Sequence, residues 1–244
     1  MSQLPIRRES EQAERESGQT EDARSGETPL WMRGRDAVVA AAEPHHWRNG
    51  TTPDYHLSAT VMPGQRVSQH EAGSLEAIAE SLVQVFEMEI SHKHDPATWV
   101  SMVTDTFRTR ANGGVWSNAE DLAEKGSYNV LIGDSVFYRP DEESFESSHR
   151  TFLRSFSQGF FWEVLEVLSP PPVITFKWRH WGAFDGSYKG FEPTGELVEM
   201  FGMSVAKVSG DLRLLEVEHF YDPNAFLAEL TGGCPVARDI PATS

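Results

Sequence analysis

Four consecutive segments decide the fold: FFWEVLEVL (160–168), VITFKWRHWGAF (173–184), ELVEMFGMSVAKV (196–208) and RLLEVEHFYDPNAFLAEL (213–230). In each segment apolar and polar residues alternate, which is typical of a strand with one buried face. The last segment changes at Asp222-Pro223 into a helical pattern, and proline is favoured in the first turn of a helix. We therefore predict four antiparallel strands in one sheet, followed by a closing helix over 223–231.

A helix precedes the sheet, and its start is marked by Ser74, a residue type that caps helix N-termini. The apolar residues that follow recur every three or four positions, as on one face of a helix. They are Leu75, Ile78, Ala79, Leu82, Val83, Phe86 and Ile90. Glu89 lies on the edge of this stripe, whereas Glu87 falls toward the opposite face, and Asp95-Pro96 ends the helix.

Further helices are predicted near 96–103, 117–125 and 141–155, with a loop or short strand at 107–114. Helices therefore come first and the antiparallel sheet follows. This order is typical of an α+β fold in which helices cover one face of a curved sheet. The helices and the sheet together form one domain, which we place at 73–232.

Two segments precede this domain and one follows it. Residues 1–28 are predicted to be a disordered or loosely attached arm, because their Glu, Arg, Ser and Gln bury too little apolar surface. Residues 29–72 are predicted to wrap the domain, with a short helix at 37–42 and an extended, Pro- and Gly-containing segment at 45–64. Residues 233–244 form a C-terminal tail.

The composition restricts the class of protein. The 244 residues, 39% of them hydrophobic, are enough for one sizeable core, and the net charge of -16 disfavours binding to nucleic acid. The sequence has no run of about 18 apolar residues that would predict a transmembrane helix, and its N-terminus lacks the apolar core of a secretory signal. Cys234 is the one cysteine, so no intrachain disulfide is expected. These features predict a cytoplasmic protein that binds neither nucleic acid nor membranes.

Strand parity predicts which side chains face the core, because successive residues of a strand point to opposite faces. The inward sets of three strands are Ile174, Phe176, Trp178 and His180; Leu215, Val217, His219 and Tyr221; and Leu197, Glu199, Phe201, Met203 and Val205. In the first strand, Phe160, Trp162 and Val164 compete with Phe161, Leu165 and Val167. Arg179 has the other parity and is predicted to lie on the surface or in an interface.

Each polar candidate also has a structural explanation. The two inward histidines can be core side chains bonded to the backbone, and Asp222 can simply cap the closing helix. Tyr221 and Trp178 suit a cavity wall better than chemistry. Glu199 can lie at an exposed strand start, and Glu89 can point to solvent past the helix edge.

Several motifs carry a family resemblance. The motifs Pro193-Thr194-Gly195, Glu199, Val217-Glu218-His219-Phe220 and Asp222 resemble the C-terminal half of SnoaL-like polyketide cyclases. The segments 45–55, 73–93, 140–153, FKWRHWG (176–182) and GCPV (233–236) resemble those of the pathogen-related protein group, in the same order. The resemblance covers roughly 45–236.

The resemblance implies the nuclear transport factor 2-like fold, a cone of helices and a strongly bent sheet around one deep cavity. It implies that catalysis, where present, uses acid/base groups and cavity shape without a cofactor. It places Asp222 at the family's acidic position and implies homodimerisation through the outer face of the sheet. The fold carries cyclases, isomerases, dehydratases, epoxide hydrolases and binding proteins, so it does not decide the function.

Two histidine pairs and the cysteine do not predict a metal or haem site. His92 and His94 are two residues apart, which does not place both on one helix face. No cluster of Cys, Asp or Glu in the sequence completes a site around them or around His45-His46. Cys234-Pro235 is too short a motif to indicate haem. We expect no cofactor and no metal.

The polar inward residues and the aromatic content favour an enzyme that acts on a hydrophobic small molecule. We predict a cofactor-independent cyclase or isomerase of polyketide or terpenoid biosynthesis, acting by acid/base catalysis or by pericyclic ring closure. The alternatives are a non-catalytic ligand-binding protein and a dehydratase or hydrolase that uses the same cavity. The candidate catalytic residues are His219, His180, Asp222, Glu89, Tyr221 and Glu199. The candidate substrate-binding residues are Trp178, Phe176, Trp162, Phe86, Phe201, Met203 and Leu82.

Overall fold

The computed structural model describes residues 28–233 of the chain. The predicted N-terminal arm at 1–28, apart from Thr28, and the predicted tail at 233–244, apart from Gly233, lie outside the described residues. Cys234 lies outside them as well. No helix within residues 28–233 combines the length and the apolar character needed to cross a membrane.

Residues 28–233 form α-helices and strands that are numbered in chain order. The helices are α1 (Arg35–Ala41), α2 (His56–Gln65), α3 (Leu75–His92), α4 (Ala119–Lys125), α5 (Ser127–Leu131), α6 (Phe145–Ser155) and α7 (Pro223–Leu230). Short 3-10 helices lie at Leu30–Arg33, Pro44–His46, Pro96–Thr98 and Pro140–Glu142. The strands are β1 (Arg108–Ala111), β2 (Ser117–Asn118), β3 (Phe161–Ser169), β4 (Val173–Ala183), β5 (Leu197–Val208) and β6 (Leu214–Tyr221).

The strands form one curled sheet in the order β2-β1-β6-β5-β4-β3. β3, β4, β5 and β6 pair antiparallel with their neighbours in sequence, as predicted. β1 pairs parallel with β6, through partners such as Thr109 and Val217, which makes the sheet mixed. Helices cover the inner face of this sheet and enclose a cavity, so the predicted α+β cone is confirmed.

α3 is the central helix, and its predicted start is confirmed. Ser74 Oγ accepts a hydrogen bond from the Ala77 backbone nitrogen at 3.2 Å. One face of α3 packs on β3, and the other is covered by Trp31 and Val38 from the preceding chain. The helix is therefore buried on two faces, whereas the apolar stripe in its sequence predicted one.

The segment 45–64 differs from the prediction, because α2 forms where an extended chain was expected. α2 buries none of its residues and contains Pro63, so neither an apolar stripe nor the composition marks it as a helix. Downstream, the helix predicted near 96–103 is only the 3-10 turn Pro96–Thr98.

β5 faces the opposite way from the prediction. Its buried residues are Val198, Ser204, Ala206 and Val208. Glu199, Phe201 and Met203 lie on the outer face, and Phe201 and Met203 are 56% and 36% exposed. The prediction that these three residues face the substrate site is therefore wrong. The parity was misread because large apolar side chains of β5 point outward, while small residues on its inner face leave room for the cavity.

Arg179 lies on the outer face of the sheet, as its parity predicted, but it belongs to a buried ion-pair network and is not exposed. Its Nη1 lies 3.0 Å from Glu163 Oε1, and its guanidinium also pairs with Glu199. The side chains of Arg179 and Glu163 are 4% and 0% exposed. The chain after α2 covers them, and Ser68 Oγ donates a 2.7 Å hydrogen bond to Glu163. These bonds hold the end of α2 against the sheet.

β3 is an edge strand, and side chains from outside the sheet bond to its free backbone groups. Glu80 of α3 accepts a hydrogen bond from the Val164 nitrogen at 3.1 Å, and His70 Nε2 lies 2.8 Å from the Val164 carbonyl oxygen. Glu80 in turn forms a bidentate pair with Arg66. These contacts occupy the positions at which a further strand would extend the sheet.

Gly202 on the inner face of β5 has no room for a side chain, because a Cβ there would lie 2.2 Å from Cζ2 of Trp178. We expect Gly202→Ala to lower the free energy of unfolding by about 1–3 kcal/mol, since the Trp178 ring must move. Urea unfolding followed by tryptophan fluorescence measures the change. Gly210→Ala is the matched control, because a Cβ there meets no atom within 4 Å. Equal losses in the two variants would contradict the packing argument.

Candidate functional site

A deep cavity of about 450 Å³ lies between the inner face of the sheet and helices α3, α5 and α6. We call the cavity side chains of β3–β6 the sheet wall, and those of α3, α5 and α6 the helical wall. The exposed lining residues Leu57, Leu153 and Ser157 mark the mouth, near the start of α2 and the end of α6. The lining is mainly apolar, and the volume is within the range of small-molecule sites.

The structure brings some of the predicted site residues together in this cavity and leaves others outside. The lining includes His180, His219, Tyr221, Trp178, Phe176, Trp162, Phe86 and Leu82. Glu89, Asp222, Glu199, Phe201 and Met203 are not part of it. The first group therefore has the predicted location, whereas its roles stay predictions.

Glu89 is buried on the side of α3 that faces away from the cavity, so its predicted location is wrong. Its carboxylate accepts hydrogen bonds from Lys93 Nζ at 2.9 Å, Val100 N at 2.8 Å and Ser101 Oγ at 2.6 Å. These partners satisfy a fully buried charge. They also tie the end of α3 to the chain that follows it.

Asp222 caps α7 and lies outside the cavity. Its Oδ1 accepts hydrogen bonds from the backbone nitrogens of Asn224 and Ala225, both at 3.0 Å. The residue is exposed to solvent. The acidic position that the family resemblance implied for catalysis is therefore a helix cap in this chain.

Two histidines of the sheet wall are neutral at physiological pH. His180 stacks on Phe160 with ring centroids 3.6 Å apart. Burial lowers the pKa of His180 to about 3, although a backbone hydrogen bond with Phe161 raises it in part. His219 Nδ1 lies 2.9 Å from Ser204 Oγ, and burial lowers the pKa of His219 to about 4.

Tyr221 and Trp178 build the adjoining part of the sheet wall. The Tyr221 hydroxyl donates to the Leu131 carbonyl oxygen at 2.7 Å, and Trp178 Nε1 donates to Ser204 Oγ at 2.8 Å. Their rings meet edge to face, with centroids 5.6 Å apart. Because both donors already have partners within the protein, these side chains shape the cavity and offer no free donor to a ligand.

Glu87 is a cavity carboxylate that the sequence reasoning missed. It lies on the helical wall and has no hydrogen-bond or ion-pair partner among residues 28–233. Burial raises the pKa of Glu87 to about 7, and the positive charge of Arg35 lowers it only in part. A carboxyl group with this pKa exchanges protons readily near neutral pH, as a general base must.

Glu87 and Glu89 exchange the locations predicted for them because α3 is buried on two faces. A helix turns by about 100° per residue, so side chains two positions apart point in nearly opposite directions. The apolar stripe could not say which of its edges faces a cavity. The useful signal was the row through Val83, Glu87 and Ser91, whose members are spaced by four residues and all line the cavity.

Basic and aromatic side chains accompany Glu87 in the cavity. The Arg35 guanidinium lies 3.6 Å from the centre of the Tyr55 ring, and that ring meets His92 with centroids 6.0 Å apart. The rings of His92 and His149 have centroids 5.9 Å apart. Burial lowers the pKa of His92 to about 4, and His149 and Arg35 add smaller effects in the same direction. Within residues 28–233, no three His, Cys, Asp or Glu side chains are grouped closely enough to hold a metal ion.

Comparison with known proteins gives one extensive sequence match. No family model matches the chain. A pathogen-related protein of Hordeum vulgare is 35% identical over an alignment of 208 positions, and the match covers 79% of this chain and 88% of the Hordeum protein. The alignment therefore spans most of both proteins.

Solved structures superpose on parts of the chain. A proposed SnoaL-like polyketide cyclase of Jannaschia sp. CCS1 covers 69% of this chain with all of its own, at a TM-score of 0.38 and 15% identity. An NTF2-like protein of Burkholderia thailandensis E264 covers 57% of this chain with 85% of its own chain, at a TM-score of 0.34 and 14% identity. A Catenulispora acidiphila DSM 44928 protein with a ketosteroid isomerase-like fold covers 62% of this chain with 92% of its own chain, at a TM-score of 0.37 and 9% identity.

The raised pKa of Glu87 predicts a pH-dependent stability. Folding favours the protonated carboxyl, so its contribution is fully present below the ordinary value of 4.5 and is lost as the pH rises through about 7. We expect Glu87→Gln to raise the free energy of unfolding by about 1–2 kcal/mol at pH 8 and to leave it unchanged at pH 4. Urea unfolding at both pH values measures this difference.

The control for this experiment is Glu124→Gln, which alters an exposed carboxylate of α4. It should change stability at neither pH. A Glu87→Gln variant that gains no stability at pH 8 would contradict the raised pKa.

Proposed function

The chain belongs to the family of pathogen-related proteins, and we propose that it is a cofactor-independent isomerase or cyclase that transfers a proton on a hydrophobic small molecule. The observation that carries this proposal is the carboxyl group of Glu87. It faces a mainly apolar cavity without a partner among the described residues, and its pKa is about 7. A carboxyl group without a partner in an apolar cavity lowers stability, which favours a functional role for it.

Glu87 acts as the general base in the proposed reaction and removes a proton from a carbon next to a carbonyl group. The electron pair of the C–H bond moves toward the carbonyl oxygen, and the Tyr128 hydroxyl in the same cavity donates a hydrogen bond to that oxygen. Burial and the negative charge of Glu87 raise the pKa of Tyr128, so this hydroxyl stays protonated. Return of the proton to another carbon completes an isomerisation, whereas attack of the enolate carbon on a second carbonyl closes a ring, and the alkoxide so formed takes the proton from Glu87.

Hydrophobic polyketides or terpenoids of secondary metabolism are the substrates that we propose, in keeping with the resemblance to SnoaL-like polyketide cyclases. Trp162, Phe176 and Trp178 give the cavity aromatic surfaces that hold an apolar skeleton by shape. The carboxyl of Glu87, which has no partner among residues 28–233, favours proton transfer over a pericyclic closure, which depends on orientation and needs no base.

A non-catalytic ligand-binding protein is the second candidate function. Glu87 and His92, the titratable groups of α3 in the cavity, are not hydrogen-bonded to each other or to another side chain among the described residues. The lack of a hydrogen bond between these two groups means that no acid/base pair is preformed on α3, which suits recognition of a ligand by shape and apolar contact. The two candidates differ in whether Glu87 exchanges a proton with the bound molecule.

The outer face of the sheet supports a proposal about assembly. Phe201, Met203 and Phe220 form an apolar patch on β5 and β6, in which Phe220 is the register partner of Met203. The three side chains are 36–56% exposed. We propose that two copies of the chain pair through this patch, as the family resemblance implies. Phe201 and Met203 would then serve assembly instead of the substrate site.

Proton transfer by Glu87 can be measured without the natural substrate. The probe is 2-tetralone, a hydrophobic ketone with acidic C–H groups, and its exchange of hydrogen for deuterium in D2O is followed by NMR. We expect the protein to accelerate exchange, with a rate that rises with pH and levels off above about 7, because the base must be ionised. Glu87→Gln should lower the rate at least about 100-fold.

Glu124→Gln is the control in this assay and should retain the wild-type exchange rate. Binding of 2-tetralone to the wild-type protein without accelerated exchange would overturn the proposed enzyme activity and support a non-catalytic ligand-binding function. Full exchange by a folded Glu87→Gln variant would overturn the role of Glu87.

The proposed dimer predicts a change in mass when the outer patch is charged. Phe201→Lys combined with Met203→Lys should convert dimers to monomers, because a buried interface cannot hold unpaired ammonium groups. Sedimentation equilibrium measures the mass. Val115→Lys is the control, since Val115 is 90% exposed and lies outside the patch. A wild-type chain that sediments as a monomer would exclude the dimer.

A further inference from the structure

We infer that the sheet wall contains a donor site for a neutral oxygen atom of the ligand, and that the donor is the Nε2–H group of His219. The site lies in the same cavity as Glu87. The inference rests on the proposed function in one respect, that this cavity binds the ligand. It adds a second recognition point to the one at Glu87. Its basis is a chain of hydrogen bonds that fixes the position of the histidine proton.

The chain of hydrogen bonds begins at Trp178. Its Nε1–H is a donor only, and it donates to Ser204 Oγ at 2.8 Å. Ser204 is fully buried, and its oxygen also lies 2.9 Å from His219 Nδ1. The serine hydroxyl has one proton, and His219 Nδ1 is the acceptor that lies within reach among the described residues.

This geometry selects one histidine tautomer. If the Ser204 hydroxyl donates to Nδ1, then all three atoms of the chain are paired and the ring proton of His219 lies on Nε2. If Nδ1 carried the proton and donated to Ser204, the serine proton would be left without an acceptor in a fully buried place. The first arrangement is therefore favoured, and Nε2 is a hydrogen-bond donor.

The donor at Nε2 lacks an acceptor. His219 lines the cavity, yet its Nε2 is shielded from solvent and has no hydrogen-bond partner among residues 28–233. Nδ1 of His180, on the same wall, is likewise shielded from solvent and has no hydrogen-bond partner among residues 28–233. A buried polar group without a partner requires an explanation. An oxygen atom of a ligand in the cavity would supply the missing acceptor after a small adjustment of the surrounding side chains.

The charge of the wall defines the class of ligand. No Lys, Arg, Asp or Glu of β3–β6 lines the cavity, and burial keeps His219 uncharged at neutral pH because its pKa is about 4. A carboxylate ligand would meet no cation there and would lose its hydration. The wall therefore suits a ketone, ester, ether or hydroxyl oxygen. The ligand class is a mainly apolar molecule with a neutral oxygen at the sheet wall and an acidic C–H group at Glu87.

The tautomer of His219 is tested by NMR on the full chain labelled with nitrogen-15 in its histidine rings. At pH 7 we expect His219 to show a protonated Nε2 and an unprotonated Nδ1, with the resonance assigned by its loss in His219→Phe. Addition of 2-acetylnaphthalene, a neutral ketone, should shift the Nε2 signal, whereas 2-ethylnaphthalene of the same shape should shift it far less. A protonated Nδ1, or equal shifts with both probes, would overturn the inference.

Binding constants from calorimetry test the same site by a different route. The ratio of the dissociation constants of 2-ethylnaphthalene and 2-acetylnaphthalene removes most of the shared apolar contribution. We expect this ratio to be about tenfold larger in the wild-type protein than in His219→Phe, the value of one hydrogen bond to a buried donor. His94→Phe, which alters an exposed histidine, should keep the wild-type ratio.

The anion 2-naphthoate completes the set of probes and should bind at least about tenfold more weakly than the ketone, because the sheet wall offers its carboxylate no cation. Tighter binding of 2-naphthoate would overturn the neutral ligand class. An unchanged probe ratio in a folded His219→Phe variant would overturn the donor site. If that variant does not fold, the ketone-dependent shift in the wild-type protein decides.

The outcome is separable from that of the proposed function. Glu87→Gln should lower the rate of deuterium exchange at least about 100-fold and leave the ratio of the two dissociation constants unchanged, since it does not alter the sheet wall. A wild-type protein that shows no exchange activity but still binds the ketone more tightly than 2-ethylnaphthalene would refute the proposed enzyme activity and support the donor site.

Discussion

A carboxylate that is taken out of water must either find partners or give up its charge, and α3 contains both outcomes. Glu80 is held by Arg66, and Glu89 is held by Lys93. Glu87 lies between them and has no such partner among the described residues, so its pKa rises instead. The two paired carboxylates hold the helix in place on either side. The helix is therefore a fixed support for a group whose protonation remains free to change.

The two walls of the cavity have different physical characters as a result. The helical wall carries Glu87, whose charge varies with pH and with the bound molecule. The sheet wall carries uncharged donors and aromatic rings, and its hydrogen bonds from Trp178 to Ser204 and on to His219 are built into the strands. In the proposed reaction a ligand would meet Glu87 on one side and a neutral frame on the other. Orientation and chemistry would then be supplied by separate elements of the fold.

The sequence allowed most of the architecture to be predicted, because its signals are local. Alternation identified β3 to β6, and the caps at Ser74 and Asp222 located α3 and α7. The parallel pairing of β1 with β6 depends on contacts between distant segments and leaves no local pattern. The site was predicted only in part. The side chains on the inward face of β5 are distinguished by small size instead of hydrophobicity, as at Gly202, so alternation pointed to the wrong face. Glu87 was missed because α3 has two buried faces.

The small residues on the inner face of β5 have a consequence for the cavity. Ala206 lines it, and Gly202 leaves room for the Trp178 ring that lines it, so both affect how much space the sheet leaves. A larger side chain at either position would reshape that space, at some loss of stability, while Glu87 stays in place on a different element. Substitutions in this one strand would therefore alter the space for a bound molecule without altering the helix that carries Glu87.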